Sequence, residues 1–307
     1  MSFWDLCSQQ AVLFILMLIG MLLKKRNTIT DDGVRTLTDL CIQIIIPCNI
    51  INSFLIRFNI EILISCAWLL GIGLFLQIFG LIMNRFLFNR FPVQQKKILQ
   101  YSSLISNGGF LGTPVAEGIY GSMGMMYASV FIIPMRIIMW SAGTGYFVSG
   151  GNDRKKVIKN VVTHPCLVGV YIGLFLMITQ IQLPEILAKP IRLIGNCNSA
   201  MTMFVVGTIL ARLNVKTIFD KGIALFSLYR LIALPALALG LALLVKLDPT
   251  ASGVSVVMTG MPAAAMTAVF AARYGSDAEF ATSCVIFTTL LSMITVPLWV
   301  YLIQMIL

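Results

Sequence analysis

The chain has 307 residues; 58% are hydrophobic, only 11% are charged, and the net charge is +10. Average soluble domains carry about 25% charged residues, too many polar groups for this sequence to match with a mean hydropathy of +0.92. Composition therefore excludes an ordinary soluble enzyme, a disordered chain and a disulfide-stapled secreted scaffold, and points to an all-α polytopic membrane protein in a lipid bilayer.

A spanning helix needs roughly 20 apolar residues, and apolar windows predict ten of them: 8–23, 37–56, 60–83, 97–119, 125–148, 157–179, 189–211, 221–245, 251–272 and 278–305. The first span follows Asp5 and no basic residue, unlike a cleaved leader, so it is expected to stay. The predicted loops then sort the basic residues. After span one come Lys24, Lys25, Arg26 and Arg35. After span three come Arg85, Arg90, Lys96 and Lys97, and after span five Arg154, Lys155, Lys156 and Lys159. Arg212, Lys216 and Lys221 follow span seven, and Arg273 follows span nine. The opposite loops hold only Arg57, Lys189, Arg192 and Lys246. Basic loops face the cytoplasm, so both termini are expected outside it, in a multi-pass protein of the cell membrane. The positive charge is a topology signal, and no nucleic-acid partner is implied. The seven cysteines form no CxxC pair and read as small buried hydrophobes. No metal or cofactor is expected.

Tyr120-Gly121-Ser122 recurs as Tyr274-Gly275-Ser276, 154 residues later, close to half the chain length. Leu40–Ile56 falls opposite Ile194–Leu210 in the same register; both are apolar with interspersed Asn, Ser or Thr. Five spans per half is an odd number, so the halves, 1–150 and 151–307, are expected in opposite orientations. Such an inverted repeat is a signature of secondary transporters.

Span four contains Asn107-Gly108-Gly109-Phe110-Leu111-Gly112-Thr113-Pro114. In a helix interior each Gly costs about 1 kcal/mol and a Pro about 3 kcal/mol relative to Ala. An unwound stretch is expected, with Thr113 capping a second half-helix and Pro114 opening it. Span nine has a matching interruption at Gly260-Met261-Pro262. Unwound backbone at membrane depth is tolerated where it is buried in protein or lines a cavity. Half-helix N-termini there favour an anionic group, above all a carboxylate. Asn107 is placed either to donate to it or to satisfy freed backbone groups.

Arg136 and Arg230 fall within spans five and eight. Each is either a counter-ion for an anionic substrate, or a partner for carbonyls left free by a broken helix, or a snorkelling side chain. Glu117 either binds a coupling cation, pairs with an arginine, or stabilises a half-helix N-terminus. Asn49, Asn52 and Ser53 share one helical face and either line the cavity or join helices. His164 reads as an interfacial residue. Motifs of the HExxH, GxSxG and P-loop types are absent, and no Asp falls in mid-span.

Three stretches carry a family resemblance: Leu40 to Pro47, Asn107 to Pro114 with its Asn-x-Gly-Phe-x-Gly-x-Pro pattern, and Met261-Pro262 through Tyr274-Gly275-Ser276 to Pro297. Over nearly its whole length the chain resembles the auxin efflux carrier family, whose members include plant auxin carriers and bacterial permeases associated with malate. The resemblance implies ten helices in two inverted five-helix halves, with broken helices 4 and 9 crossing. It implies a scaffold of helices 1, 2, 6 and 7 and a transport part of helices 3–5 and 8–10, with a homodimer through the scaffold. It implies alternating-access transport of a small organic anion, with Asn107 and the crossovers at Pro114 and Pro262 holding the carboxylate. The long cytoplasmic loop of many plant carriers is absent and span three lacks an internal acidic residue, which favours a small carboxylate over auxin. A cation-coupled carboxylate carrier and a non-transporting membrane sensor are the alternatives.

Overall fold

Helix starts follow side chains that accept from exposed backbone N–H groups. Thr30 accepts from Gly33 N at 3.1 Å, and Asn59 from Glu61 N at 2.9 Å. Asp248 accepts from Thr250 N and Ala251 N at 2.9 and 3.1 Å, with Pro249 in the first helical position. Asp277 accepts from Phe280 N at 2.9 Å. In the computed structural model, which describes residues 3–57, 59–139, 146, 154–211 and 220–307, these caps open elements of an all-helical chain. The described residues hold no β-strand, only an isolated antiparallel bridge between Ser106 and Ala263.

The helices are α1 (Phe3–Lys25), α2 (Asp31–Ser53), α3 (Ile60–Leu87), α4 (Val93–Leu104), α5 (Gly108–Ile138), α6 (Arg154–Val162) and α7 (Pro165–Thr179). They continue with α8 (Glu185–Leu210), α9 (Lys221–Leu244), α10 (Pro249–Thr259), α11 (Met266–Arg273) and α12 (Ala278–Ile306). Among the described residues, α2, α3, α5, α8, α9 and α12 are long and apolar enough to cross a membrane. Large apolar side chains cover their outer faces; on α3 alone Ile64, Trp68, Phe75, Ile78 and Ile82 are exposed. Such a surface is a liability in water and the ordinary contact surface in lipid.

Several predicted spans are interrupted. The predicted 157–179 splits at His164, ahead of Pro165, into α6 and α7. The predicted 97–119 and 251–272 divide at the two Gly/Pro breaks. The end of the predicted 125–148 beyond Met139 (Tyr146 apart), the boundary between residues 150 and 151, and Arg212 and Lys216 lie outside the described residues.

The long α5 is a helical hairpin. Gly121 has φ 65° and ψ −154°, a region open essentially to glycine alone. A Cβ built on Gly124 would lie 2.1 Å from Ala116 O. Residues eight apart on a straight helix are about 12 Å apart, so the chain doubles back, and a first arm (108–120) packs on a second (122–138). Gly275, the counterpart of Gly121 in the repeated Tyr-Gly-Ser, has φ 66°. These two glycines share a conformation that no other described glycine adopts.

Three π-helical turns stand in one relation to proline. Cys41–Ile45 precedes Pro47, Gly108–Gly112 precedes Pro114, and Tyr229–Ala233 precedes Pro235. In each case the turn ends two residues before the ring. A proline inside an α-helix clashes with the carbonyl four residues back and leaves it unbonded; widening the preceding turn moves that carbonyl aside. These helices therefore continue through their prolines.

Close packing depends on small residues, as expected where lipid removes the usual hydrophobic drive between helices. A Cβ on Gly207 of α8 would lie 2.0 Å from Met17 O of α1. A Cβ on Gly195 of α8 would lie 3.0 Å from Asn49 Cα of α2. A buried polar knot joins α3 to α4: Asn84 Nδ2 donates to Gln100 O and Gln100 Nε2 to Asn84 O, both at 2.8 Å, while Ser103 Oγ donates to Asn84 Oδ1 at 2.6 Å.

Candidate functional site

The two interrupted segments meet. After α4 the chain is extended at Ile105 (φ −107°, ψ 106°) and passes through Ser106 and Asn107 before the π-turn begins. After α10, Gly260 closes the helix and residues 261–265 run non-helically to α11. The strands pair antiparallel: Asn107 N donates to Pro262 O at 2.8 Å and Ala264 N to Ile105 O at 3.3 Å. Ser106, Asn107, Met261 and Ala263 are all buried. Each broken helix thus supplies the backbone partners that the other has lost, as buried peptide groups require.

Other elements complete the crossing. Arg230, on the π-turn of α9, donates from Nε to Met261 O and from Nη1 to Ser103 O, both at 3.0 Å. One guanidinium thereby spans both broken helices. Thr288 of α12 accepts from Ala263 N at 3.1 Å. Met135 Sδ accepts from Ser106 N and Oγ at 3.3 and 3.4 Å. Gln77 of α3 donates from Nε2 to Leu104 O at 3.2 Å. Two buried side-chain atoms remain without a partner here, Gln77 Oε1 and Asn107 Nδ2. A small cavity of ≈ 30 Å³, lined by Gln77, Ser103, Ser106, Arg230 and Thr259 among others, adjoins the crossing. By the measure in which about 10–15 Å³ holds one water, it has room for about two.

The first break lies earlier than the proline pattern suggests. Leu111 N and Gly112 N already donate to Asn107 O, at 3.0 and 3.1 Å. The half-helix therefore starts at Gly108, and Thr113 does not cap it; its hydroxyl donates back to Gly109 O at 2.8 Å. Pro114 sits a full turn inside. The second differs in the opposite direction: Pro262 is part of the paired strand, and α11 begins only at Met266. The density of glycine has a packing cause. A Cβ on Gly112 would lie 2.9 Å from both Met258 Sδ and Met261 Cγ, and one on Gly108 would lie 3.2 Å from Met258 Cε.

The remaining candidates separate into two groups. Arg136 on the second arm of α5 is buried, with Nη1 2.9 Å from His164 Nδ1 and 3.0 Å from Nε2. A Cβ on Gly109 would lie 3.7 Å from Arg136 Nη2, so this arginine borders the start of the half-helix. Among the described residues neither buried arginine forms an ion pair. Asn49 is directed elsewhere: its Nδ2 donates to Glu117 Oε2 at 2.8 Å. Glu117 lies ten residues beyond Asn107, about 15 Å along the helix, so Asn49 and Glu117 form a place of their own. Asn52, one turn further along α2, is half-buried. Sequence reasoning passed over Gln77, Ser103, Ser106 and Thr288; an uncharged Gln in the middle of a spanning helix is the one signal that pointed to any of them.

A family model described as membrane transport protein matches residues 6–300. An uncharacterized transporter of Methanocaldococcus jannaschii is 25% identical over 305 residues, covering 94% of this chain and 96% of its own. An uncharacterized transporter of Methanothermobacter thermautotrophicus is 25% identical over 292 residues, covering 93% and 94%. The uncharacterized transporter YfdV of Escherichia coli is 23% identical over 303 residues, covering 94% and 95%. With a family match across nearly its full length, the chain belongs to the membrane transport protein family of auxin efflux carriers.

Proposed function

We propose that the chain is a secondary transporter of a small organic anion, a carboxylate, working by alternating access in the cell membrane with both termini outside the cytoplasm. Its ten spans form two inverted five-helix repeats, 1–150 and 151–307. The shared positive φ of Gly121 and Gly275 supports the repeat, as does the mutual pairing of the two interrupted segments. Helices 1, 2, 6 and 7 form the scaffold, through which two copies pair, and the remaining helices carry the substrate.

One observation carries the anion reading. Asn107 is 4% exposed and its Nδ2 has no acceptor, although an unsatisfied buried donor costs about 1–3 kcal/mol. It stands at the start of a half-helix whose first N–H groups precede any intrahelical bond. A carboxylate brought to this point gains a side-chain donor, backbone donors and the positive end of the helix. The adjoining cavity of ≈ 30 Å³ is too small for it, so binding requires the crossing to open.

The test is a thermal-shift screen of acetate, lactate, succinate, malate and citrate on the purified chain. A ligand at 100 times its Kd stabilises by about 2.7 kcal/mol. At least one acid is expected to raise the unfolding temperature, and Asn107→Ala is expected to abolish that rise. The variant itself is expected to fold normally, because Nδ2 bonds nothing within the protein. A response unchanged in Asn107→Ala would sink the reading. Binding without flux in proteoliposomes would indicate a sensor instead.

A further inference from the structure

Arg136 is the buried charge that the crossing leaves uncommitted. Arg230 directs its donors to the carbonyls of Met261 and Ser103. The Arg136 guanidinium bonds no carbonyl and no carboxylate among the described residues; the side chain it meets is His164. Its Nη1 lies 2.9 Å from Nδ1 and 3.0 Å from Nε2. A donor equally near both ring nitrogens sits over the ring and not on one lone pair. Nδ1 moreover accepts from Cys166 N at 3.3 Å, as the cap of α7. The contact places the guanidinium without neutralising it, although the residue is only 9% exposed.

Among the described residues no acid is within its reach. The second arm of α5 packs on the first arm, α3 and α6. Neither α6 nor α7 carries an Asp or Glu. The first arm has only Glu117, which accepts from Asn49 and lies about 12 Å along the helix from Gly109. α3 has only Glu61, in its first turn. It meets the second arm at Gly73, about 18 Å further along, where a Cβ would touch Phe131 and Pro134. A guanidinium buried at membrane depth without an anion is costly. Its other end faces the half-helix start: a Cβ on Gly109 would lie 3.7 Å from Nη2. Leu111 N is the first amide there to bond back along the helix, to Asn107 O at 3.0 Å, so the amides of Gly108, Gly109 and Phe110 precede it. Gly109 and Phe110 are half-buried, in contrast to Asn107. The orphaned Asn107 Nδ2 and the uncompensated charge are separate observations that call for one ligand. A carboxylate presents paired oxygens that suit a guanidinium fork.

We propose that Arg136 is the counter-ion of the bound carboxylate and that His164 holds its side chain until the anion arrives. The assignment rests on the anion reading above, in which α5 moves and the helix opened by His164 stays. The anion draws the guanidinium off the ring and onto the carboxylate, where the two charges pair. The same turn releases the contact between α5 and the junction of α6 with α7. The arm is thus tied to its neighbour without substrate and untied with it, which links movement to occupancy.

His164 is the only histidine of the chain, so isotopic labelling of histidine gives a single imidazole whose magnetic-resonance signals report on this contact. The experiment adds acetate, lactate, succinate, malate and citrate in turn to the labelled full chain in mixed micelles, at constant pH and ionic strength, beside the thermal-shift measurement. An acid that raises the unfolding temperature is expected to move the imidazole signals to the position they hold in Arg136→Gln without acid. Arg136→Gln is expected to bind that acid about tenfold or more weakly. His164→Asn keeps an acceptor for the α7 cap but removes the ring. With that rival gone, Arg136 is expected to bind the acid about two- to tenfold more tightly, a gain that a purely structural histidine does not give. Should Arg136→Gln fail to fold, His164→Asn decides the matter alone. An acid that binds while the imidazole signals stay in place overturns the assignment, as does a His164→Asn variant that binds no more tightly; either leaves the Asn107 result standing. If no acid binds, the anion reading falls and this assignment with it.

Discussion

Replacing Arg230 by Met separates two roles that the sequence leaves open. The guanidinium donates to Ser103 O and Met261 O at 3.0 Å each, in a residue only 4% exposed. A hydrogen bond to a charged group contributes about 1.5–3 kcal/mol in soluble proteins, whereas polar pairs within membranes average about 0.6 kcal/mol. Losing two such bonds therefore costs between about 1 and 6 kcal/mol. Relief from burying the charge offsets part of this. Two carbonyls are left bare in a buried crossing, however, and each carries a penalty of about 1–3 kcal/mol that is the same loss seen from the acceptor side. We expect a net destabilisation of about 2–4 kcal/mol.

The assay is equilibrium unfolding of the purified chain in mixed micelles, with no carboxylate present. Arg230→Lys tests the geometry: a single ammonium does not reproduce the fork that spans two helices, so it should recover no more than half of the loss. A clamp is needed whether or not substrate is bound; a substrate counter-ion is not. If Arg230→Met unfolds within about 0.5 kcal/mol of the wild type yet loses the carboxylate response, the clamp reasoning is wrong.

Other perturbations test the hairpin and the helix packing. Gly121→Ala meets nothing within 4 Å, yet should destabilise by about 1–3 kcal/mol because its φ and ψ exclude a Cβ; thermal unfolding reads this, and a neutral result would refute the assigned backbone. Gly207→Ala places a methyl group 2.0 Å from Met17 O, and backbone cannot swing aside as a side chain can. A loss of about 1–3 kcal/mol or more is expected. Gly240→Ala is its control: it meets nothing within 4 Å in a helix interior and should gain about 0.5–1 kcal/mol.

Sequence patterns located the breaks but not their construction. Gly/Pro density around Asn107 and Pro262 marked both interruptions to within a few residues. The rule that proline opens a helix then misplaced both starts, because Pro114 is accommodated by a π-turn and Pro262 is used for its carbonyl. The repeated Tyr-Gly-Ser was legible as letters; the reason for its glycine, a positive φ, was not. Arg230 could be read only as a set of alternatives, since its acceptors lie 31 and 127 residues away. Glu117 was equally opaque, its partner Asn49 being 68 residues distant. Local signals report where the backbone is strained; partners across the bundle are fixed by packing that no short window contains.

The crossing is not symmetric in what it leaves available, and this bears on how the proposed anion would be held. On the second strand the carbonyls of Met261 and Pro262 and the amides of Ala263 and Ala264 are all engaged, by Arg230, Asn107, Thr288 and Ile105. Pro262 has no N–H to give. On the first strand Asn107 N and Ile105 O are engaged, but Asn107 Nδ2 is not, and the amides that open the following half-helix stand directly beside it. The one orphaned side-chain donor of the two strands, Asn107 Nδ2, thus lies on the first-half side, although the sequence presents the two breaks as a matched pair. Pro262→Ala keeps the carbonyl that Asn107 N requires, so the carboxylate-induced thermal shift should survive it while Asn107→Ala abolishes it. Equal loss in the two variants would mean that both strands bind the anion, and that the pairing seen here must open on both sides to admit it.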